Sequence, residues 1–241
     1  MDLLLPVAAA AIIAGGTLMR LSYMEDDGSE GAIPISFGQF KRIAKSGDLI
    51  FTSSIHITST ITRSFMGSQW SHCGMVYVGN DSTIYEWSSH RLGEGLRAYD
   101  GRVHDGPQLI PISNLASTIY FCPVKCDHTK VANLIYKLSR AEDMPFVDIL
   151  GLMGCAFFMP SIDTGMGVTC AQMVALTYMA CGLLVIDRPL TNYIPQSFSP
   201  IGGDAVWRCK VSPKLYVVFV DGRARKINLR RPFSLLRLKN K

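Results

Sequence analysis

Two segments about a hundred residues apart constrain this chain most. Ser71-His72-Cys73-Gly74-Met75-Val76-Tyr77 has the β-branched and aromatic content of a strand, and a histidine opens it. Val168-Thr169-Cys170-Ala171-Gln172-Met173-Val174-Ala175 begins an apolar helix with a cysteine, and Gly182 stands where such a helix would end. The segments Thr83 to Trp87, Leu109 to Ile112, Thr118 to Pro123 and Val211 to Val220 also read as strands, and Asp48 to Thr52 as another. Together they predict an α+β fold, an antiparallel sheet of about five strands packed against the helix that starts at Cys170. Ser36 to Ser46 and Thr129 to Arg140 read as further helices, Val147 to Phe158 as a buried apolar run, and Ile55 to Met66 is ambiguous.

The same two segments carry the chemistry. A thiol needs a base beside it to become a nucleophile at neutral pH, and the field at a helix N-terminus lowers its pKa further. Cys170 is the candidate nucleophile and His72 the candidate base. Gly165 and Gly167 would allow a substrate to approach closely, and the helix N–H groups offer a partial oxyanion hole. Glu86 is the candidate group to orient His72. Its placement depends on the hairpin register. If Val78 pairs with Ser82 across Gly79-Asn80-Asp81, position 74 faces 86 and His72 shares that face; if Gly79 pairs with Ser82, Glu86 points away. Trp70 either walls the cleft or packs in the core. His56, His90, His104 and His128 receive no role.

The order, histidine strand before cysteine helix, is the reverse of ordinary papain-like enzymes. It resembles the circularly permuted branch of the NlpC/P60 superfamily, which includes bacterial YiiX-like proteins, the lecithin-retinol acyltransferase family and proteins of large DNA viruses. Gly47-Asp48-Leu49-Ile50-Phe51 is similar to the opening strand of that branch, Trp70 to Val76 to its histidine strand, Tyr85-Glu86-Trp87 with Gly93 to Arg97 to the strand of the third polar residue, and Cys170 to Val174 to its cysteine helix. Cys73 departs from the pattern, since a small aliphatic residue is usual there. The resemblance implies a permuted papain-like fold and a Cys170-His72-Glu86 site. The activity implied is a thiol hydrolase or acyltransferase acting on an amide, isopeptide or (thio)ester bond, without cofactor or metal. The alternative is a membrane-anchored structural protein of a large DNA virus particle that keeps the fold.

The rest of the 241 residues divides around this domain, set at 35–220. Residues Leu3 to Met19 carry no charge. A helix of that length rises about 25 Å, and Leu21 and Tyr23 extend it if Arg20 snorkels. A cleaved signal peptide and a buried core helix are the competing readings; the one adopted is a transmembrane anchor in 1–24. It would give a single-pass membrane protein whose globular domain lies on the cytoplasmic, or virion-interior, side. Residues 25–34 form an acidic linker. The tail 221–241 carries eight basic residues and, from Arg223 onward, no acid; the chain before Arg223 sums to −3 against +5 for the whole. Such a tail suits an acidic surface, lipid or nucleic acid. Seven cysteines are dispersed, and Cys122, Cys126 and His128 lack a fourth ligand for zinc. No loop has the spacing of a nucleotide site.

Overall fold

In a computed structural model the described residues are 31–52, 68–90, 106–115, 118–140 and 168–220. They form a mixed α+β fold with a large sheet and three α-helices. The sheet strands are β1 (Ile33–Ser36), β2 (Leu49–Thr52), β3 (His72–Val78), β4 (Ile84–His90), β5 (Gly106–Pro111), β6 (Thr118–Cys122) and β9 (Tyr216–Phe219), in the order β1-β9-β6-β2-β3-β4-β5. The helices are α1 (Phe37–Ile43), α2 (His128–Leu138) and α3 (Cys170–Ala180). A separate ribbon pairs β7 (Val124–Lys125) with β8 (Lys210–Val211).

Two expectations about this architecture are corrected. The sheet has seven strands, more than the five or so read from the sequence, and it is not wholly antiparallel, because β1 runs parallel to β9 at one edge. β1 is four residues long and largely exposed, so it carries no alternation to betray it. The membrane reading is also corrected. Among the described residues no helix is long and apolar enough to cross a membrane. The expected transmembrane helix, and with it the single-pass localisation, therefore finds no spanning element among the described residues; residues 3 to 22 lie outside them, as do the basic tail, Ile55 to Met66 and Val147 to Phe158.

Alternation along the strands gives the sheet two buried faces. Leu49, Phe51, Cys73, Met75, Trp87, Leu109 and Val217 pack with Val174, Ala175 and Tyr178 of α3. Ile50, Val76, Ile84, Ile119, Phe121 and Val218 pack with Phe40 of α1, whose ring meets Phe121 edge-on at 5.0 Å. Helix α3 is apolar on nearly every side because it is enclosed on nearly every side.

The start of α3 is fixed with unusual redundancy. Thr169 is its N-cap: the Gln172 N–H donates to Thr169 Oγ1 (3.2 Å), and the Thr169 N–H donates to Gln172 Oε1 (2.7 Å), a complete capping box. One residue earlier, Ser89 Oγ of β4 donates to the Val168 carbonyl at 2.6 Å. Farther along, Trp87 Nε1 donates to Thr177 Oγ1 (3.1 Å) and the Tyr178 hydroxyl to the Gly47 carbonyl (2.6 Å). The helix ends in a Schellman motif, with Gly182 at φ 74 and the Leu183 N–H donating to the Tyr178 carbonyl at 2.8 Å. Cys170 is thereby the first residue of a helix that cannot slide or rotate over β3 and β4.

Candidate functional site

The hairpin β3–β4 sets the other half of the site. Val78 pairs with Ile84, Val76 with Glu86 and Met75 with Trp87. The Gly79 N–H donates to the Thr83 carbonyl and the Ser82 N–H to the Gly79 carbonyl, both at 2.9 Å, which closes a loop over Asn80, Asp81 and Ser82. Ser82 takes the left-handed conformation (φ 63) that such a loop requires at its third position. Asp81 accepts from the Thr83 N–H and hydroxyl and holds the turn. The register is therefore two positions beyond the Val78–Ser82 pairing considered from the sequence. A shift of two conserves parity, so Glu86 still shares a face with His72.

Glu86 is wholly buried, and each of its oxygens receives one imidazole. His72 Nε2–H donates to Oε1 at 3.0 Å, and His90 Nε2–H donates to Oε2 at 3.0 Å. A carboxylate can only accept, which puts a proton on both Nε2 atoms. The two rings lie 4.5 Å apart between centroids. Gly74 makes the arrangement possible, because a Cβ there would come within 2.6 Å of Glu86 Cγ.

Cys170 meets this group at the end of β3. Its thiol is in hydrogen-bonding and electrostatic contact with both His72 and Cys73. The hydrogen bond from the Cys73 thiol is the largest influence on Cys170; burial opposes it, the charge of His72 adds to it, and the net result holds Cys170 well below the usual thiol range. Its place at the N-terminus of α3 acts in the same direction. Burial penalises the His72 imidazolium, but the Glu86 carboxylate and Cys170 outweigh that and keep its pKa well above the usual value. Burial likewise penalises Glu86, and the imidazoles of His72 and His90 more than offset it, so the carboxyl stays ionised far below its ordinary range. Burial, reinforced by Cys170, pushes Cys73 well up, so Cys170 is the more acidic thiol of the pair. Of the other described cysteines, Cys122 and Cys126 are pushed up to about 12 by burial, and Cys181 and Cys209 are raised by it as well.

All three residues singled out from the sequence are thus in one place. Others are elsewhere. Trp70 is core, packed between Phe51 and Tyr120 with ring centroids 5.3 and 4.7 Å away. His128 bonds the Ser46 carbonyl at 2.9 Å and Cys126 Sγ at 3.5 Å. Gly165, Gly167, His56 and His104 lie outside the described residues.

His90 was missed. The strand was read as stopping at Trp87, whereas β4 continues to His90. Glu86, Ser88 and His90 recur at a spacing of two, which puts three polar groups on one face once the strand is known to run that far. With His90 included, His72, Glu86 and His90 each offer a ligand atom, and these atoms all lie within 4.8 Å of one another.

No family model and no curated protein matches the chain. Among solved structures it is similar to metalloprotein yiiX from Escherichia coli O157:H7, at 16% identity over 61% of this chain and 78% of that one, with a TM-score of 0.40.

Proposed function

We propose that the protein is a thiol hydrolase or acyltransferase of the permuted NlpC/P60 type, with Cys170 as nucleophile, His72 as acid–base and Glu86 as the group that orients His72. One observation carries this reading: a buried carboxylate, an imidazole and a thiol follow one another at the N-terminus of a helix fixed at both ends.

On this reading each atom has a task. Glu86 holds His72 through Nε2, which leaves Nδ1 for Cys170. The Cys170 thiolate attacks the carbonyl carbon of an amide, isopeptide or (thio)ester, and the carbonyl electron pair moves onto oxygen. The N–H groups of Cys170 and Ala171 have no partner within the helix and lie at its positive end, where they can receive that oxyanion. His72 gives its Nδ1 proton to the leaving group as the tetrahedral intermediate collapses to a thioester. Water or another acceptor then attacks, His72 takes the incoming proton, and the thiolate is released. Cys73 keeps its proton throughout and donates to Cys170 in the resting state, the place of the unusual cysteine in the sequence pattern.

The test is trapping. Incubation with an activated acyl ester such as p-nitrophenyl acetate should add one acetyl group, mapped by mass spectrometry to Cys170, and Cys170→Ala should abolish it. Acetyl spread evenly over Cys126, Cys170 and Cys209 would defeat the reading and leave a fold kept for structural use.

A further inference from the structure

We propose that His72, Glu86 and His90 form a binding site for one divalent transition-metal ion of the Zn2+ class. Two imidazoles and a carboxylate are a donor set that suits such ions, and three protein ligands leave positions open for water. The atoms are already gathered: both Glu86 oxygens are 3.0 Å from an Nε2, and the three ligand atoms fall within 4.8 Å of one another. An ion about 2.0–2.2 Å from each ligand needs ligand atoms no more than about 4.4 Å apart, so side chains already gathered to within 4.8 Å have only a small adjustment to make around it.

The supports are rigid. All three residues stand on adjacent strands of one sheet, where precision is greater than on loops. Val76 stands opposite Glu86 and Met75 opposite Trp87 across these strands, and beyond them the His72 and His90 rings approach to 4.5 Å between centroids. Gly74, which lacks a Cβ, leaves the space over β3 that the Glu86 carboxylate occupies. Glu86 and His90 are enclosed (0 and 4% exposed), while the His72 side chain, 19% exposed, marks the side from which an ion and its water would enter. The Coulombic case is equally direct. The Glu86 carboxylate is wholly buried and bonded on both oxygens by imidazoles that share its charge; a dication placed among them satisfies the same carboxylate with both rings neutral.

Occupancy has a consequence for Cys170, and this part alone rests on the function proposed above. Metal and proton compete for His72 Nε2. With the metal there, the proton on Nδ1 is the ring's last, and giving it to a leaving group would require an imidazolate. The ion therefore silences the thiol chemistry while it is bound.

The experiment uses the full chain carrying Cys170→Ser, which removes the thiolate as a competing ligand, alongside the wild type. Equilibrium dialysis against Zn2+ with elemental analysis should give one ion per chain in both. Co2+ in its place should show ligand-field bands and no thiolate-to-metal charge-transfer band. His90→Gln, whose amide N–H can still donate to Glu86 Oε2 and so guards the fold, should weaken binding at least ~10-fold, checked against an unchanged circular dichroism spectrum. In the wild type Zn2+ should slow alkylation of Cys170, a chelator should restore it, and the rate in His90→Gln should respond to Zn2+ far less, each variant compared with its own metal-free rate. Less than a tenth of an ion per chain in Cys170→Ser, binding undiminished by His90→Gln, or a thiolate charge-transfer band would overturn the site. A Cys170 that is inert in the metal-free protein, with Zn2+ binding intact, would overturn the proposed enzyme and leave the metal site standing.

Discussion

Among the described residues two carboxylates are buried, Asp48 and Glu86, and the protein treats them in opposite ways. Asp48, just before β2, accepts from the Lys45 N–H through Oδ2 and from the Val124 N–H through Oδ1, both at 2.8 Å. Glu86 accepts from two histidine rings at 3.0 Å. Both are satisfied as acceptors, yet burial drives Asp48 up to about 6 while Glu86 stays far below the ordinary carboxylate range. Backbone amides supply dipoles; imidazoles supply dipoles and, when protonated, charge. Asp48 ties together the turn before β2 and the start of β7, and no reaction is needed to explain it. Glu86 is bonded only to groups that can exchange a proton or take a metal, an arrangement expensive for stability alone.

The sharpest way to break that contrast is to remove the base. His72→Ala should slow alkylation of Cys170 by iodoacetamide at neutral pH at least ~10-fold, because a rise of one pKa unit changes the thiolate fraction by about that factor. Peptide mapping gives the rate for Cys170 beside those of Cys126 and Cys209, which serve as internal references. Equal rates in wild type and variant would separate the two residues and return Glu86 to the same structural category as Asp48.

Gly74→Ala probes the space Glu86 needs. Its Cβ would strike the Glu86 side chain, which has no room to retreat into a packed face. Urea denaturation should show a loss of about 1–3 kcal/mol, with Cys170 labelling slowed less than by His72→Ala. Full stability and full labelling would mean that Glu86 is free to move, contrary to its two hydrogen bonds. Glu86→Gln should cost less labelling still, since it orients the base and does not replace it; a loss as large as that of His72→Ala would show that the charge, and not the orientation, is what matters.

How far such a site can be read from sequence depends on where the signal is local. The helix start was legible because Thr169 and Gln172 are a capping box three residues apart, and its end because Gly182 supplies a left-handed residue. The hairpin was legible as a hairpin but its register was not, because the choice between Ser82 and Ile84 as the partner of Val78 rests on a positive φ at Ser82, a residue that rarely adopts it. His90 escaped because Ser88 and Ser89 look like the end of a strand. Their hydroxyls are in fact spent on the Cys73 and Val168 carbonyls, and only the fold shows that those acceptors are within reach. The pairing of β1 with β9 joins ends of the chain too distant for any local pattern.

The smallest expected effect on the site belongs to Asp48. Its folded pKa lies above that of an unfolded aspartate, so the folded state binds the proton more tightly. The stability this group contributes is fully present below its ordinary value of 3.8 and is lost as pH rises through about 6. In Asp48→Asn that part of the pH dependence should vanish, so the difference in urea midpoint between wild type and variant should change across this interval and be flat above it. The wild-type side-chain carboxyl carbon should titrate near pH 6 by NMR. Cys170 labelling in the variant should stay within ~2-fold of wild type, the size of change expected from a group acting on stability and not on the thiol. An Asp48 that titrates below its ordinary value would mean that two backbone amides suffice to hold a buried carboxylate ionised. The imidazoles around Glu86 would then need no electrostatic reason to be there, and the case for a reactive site would rest on Cys170 and its helix alone.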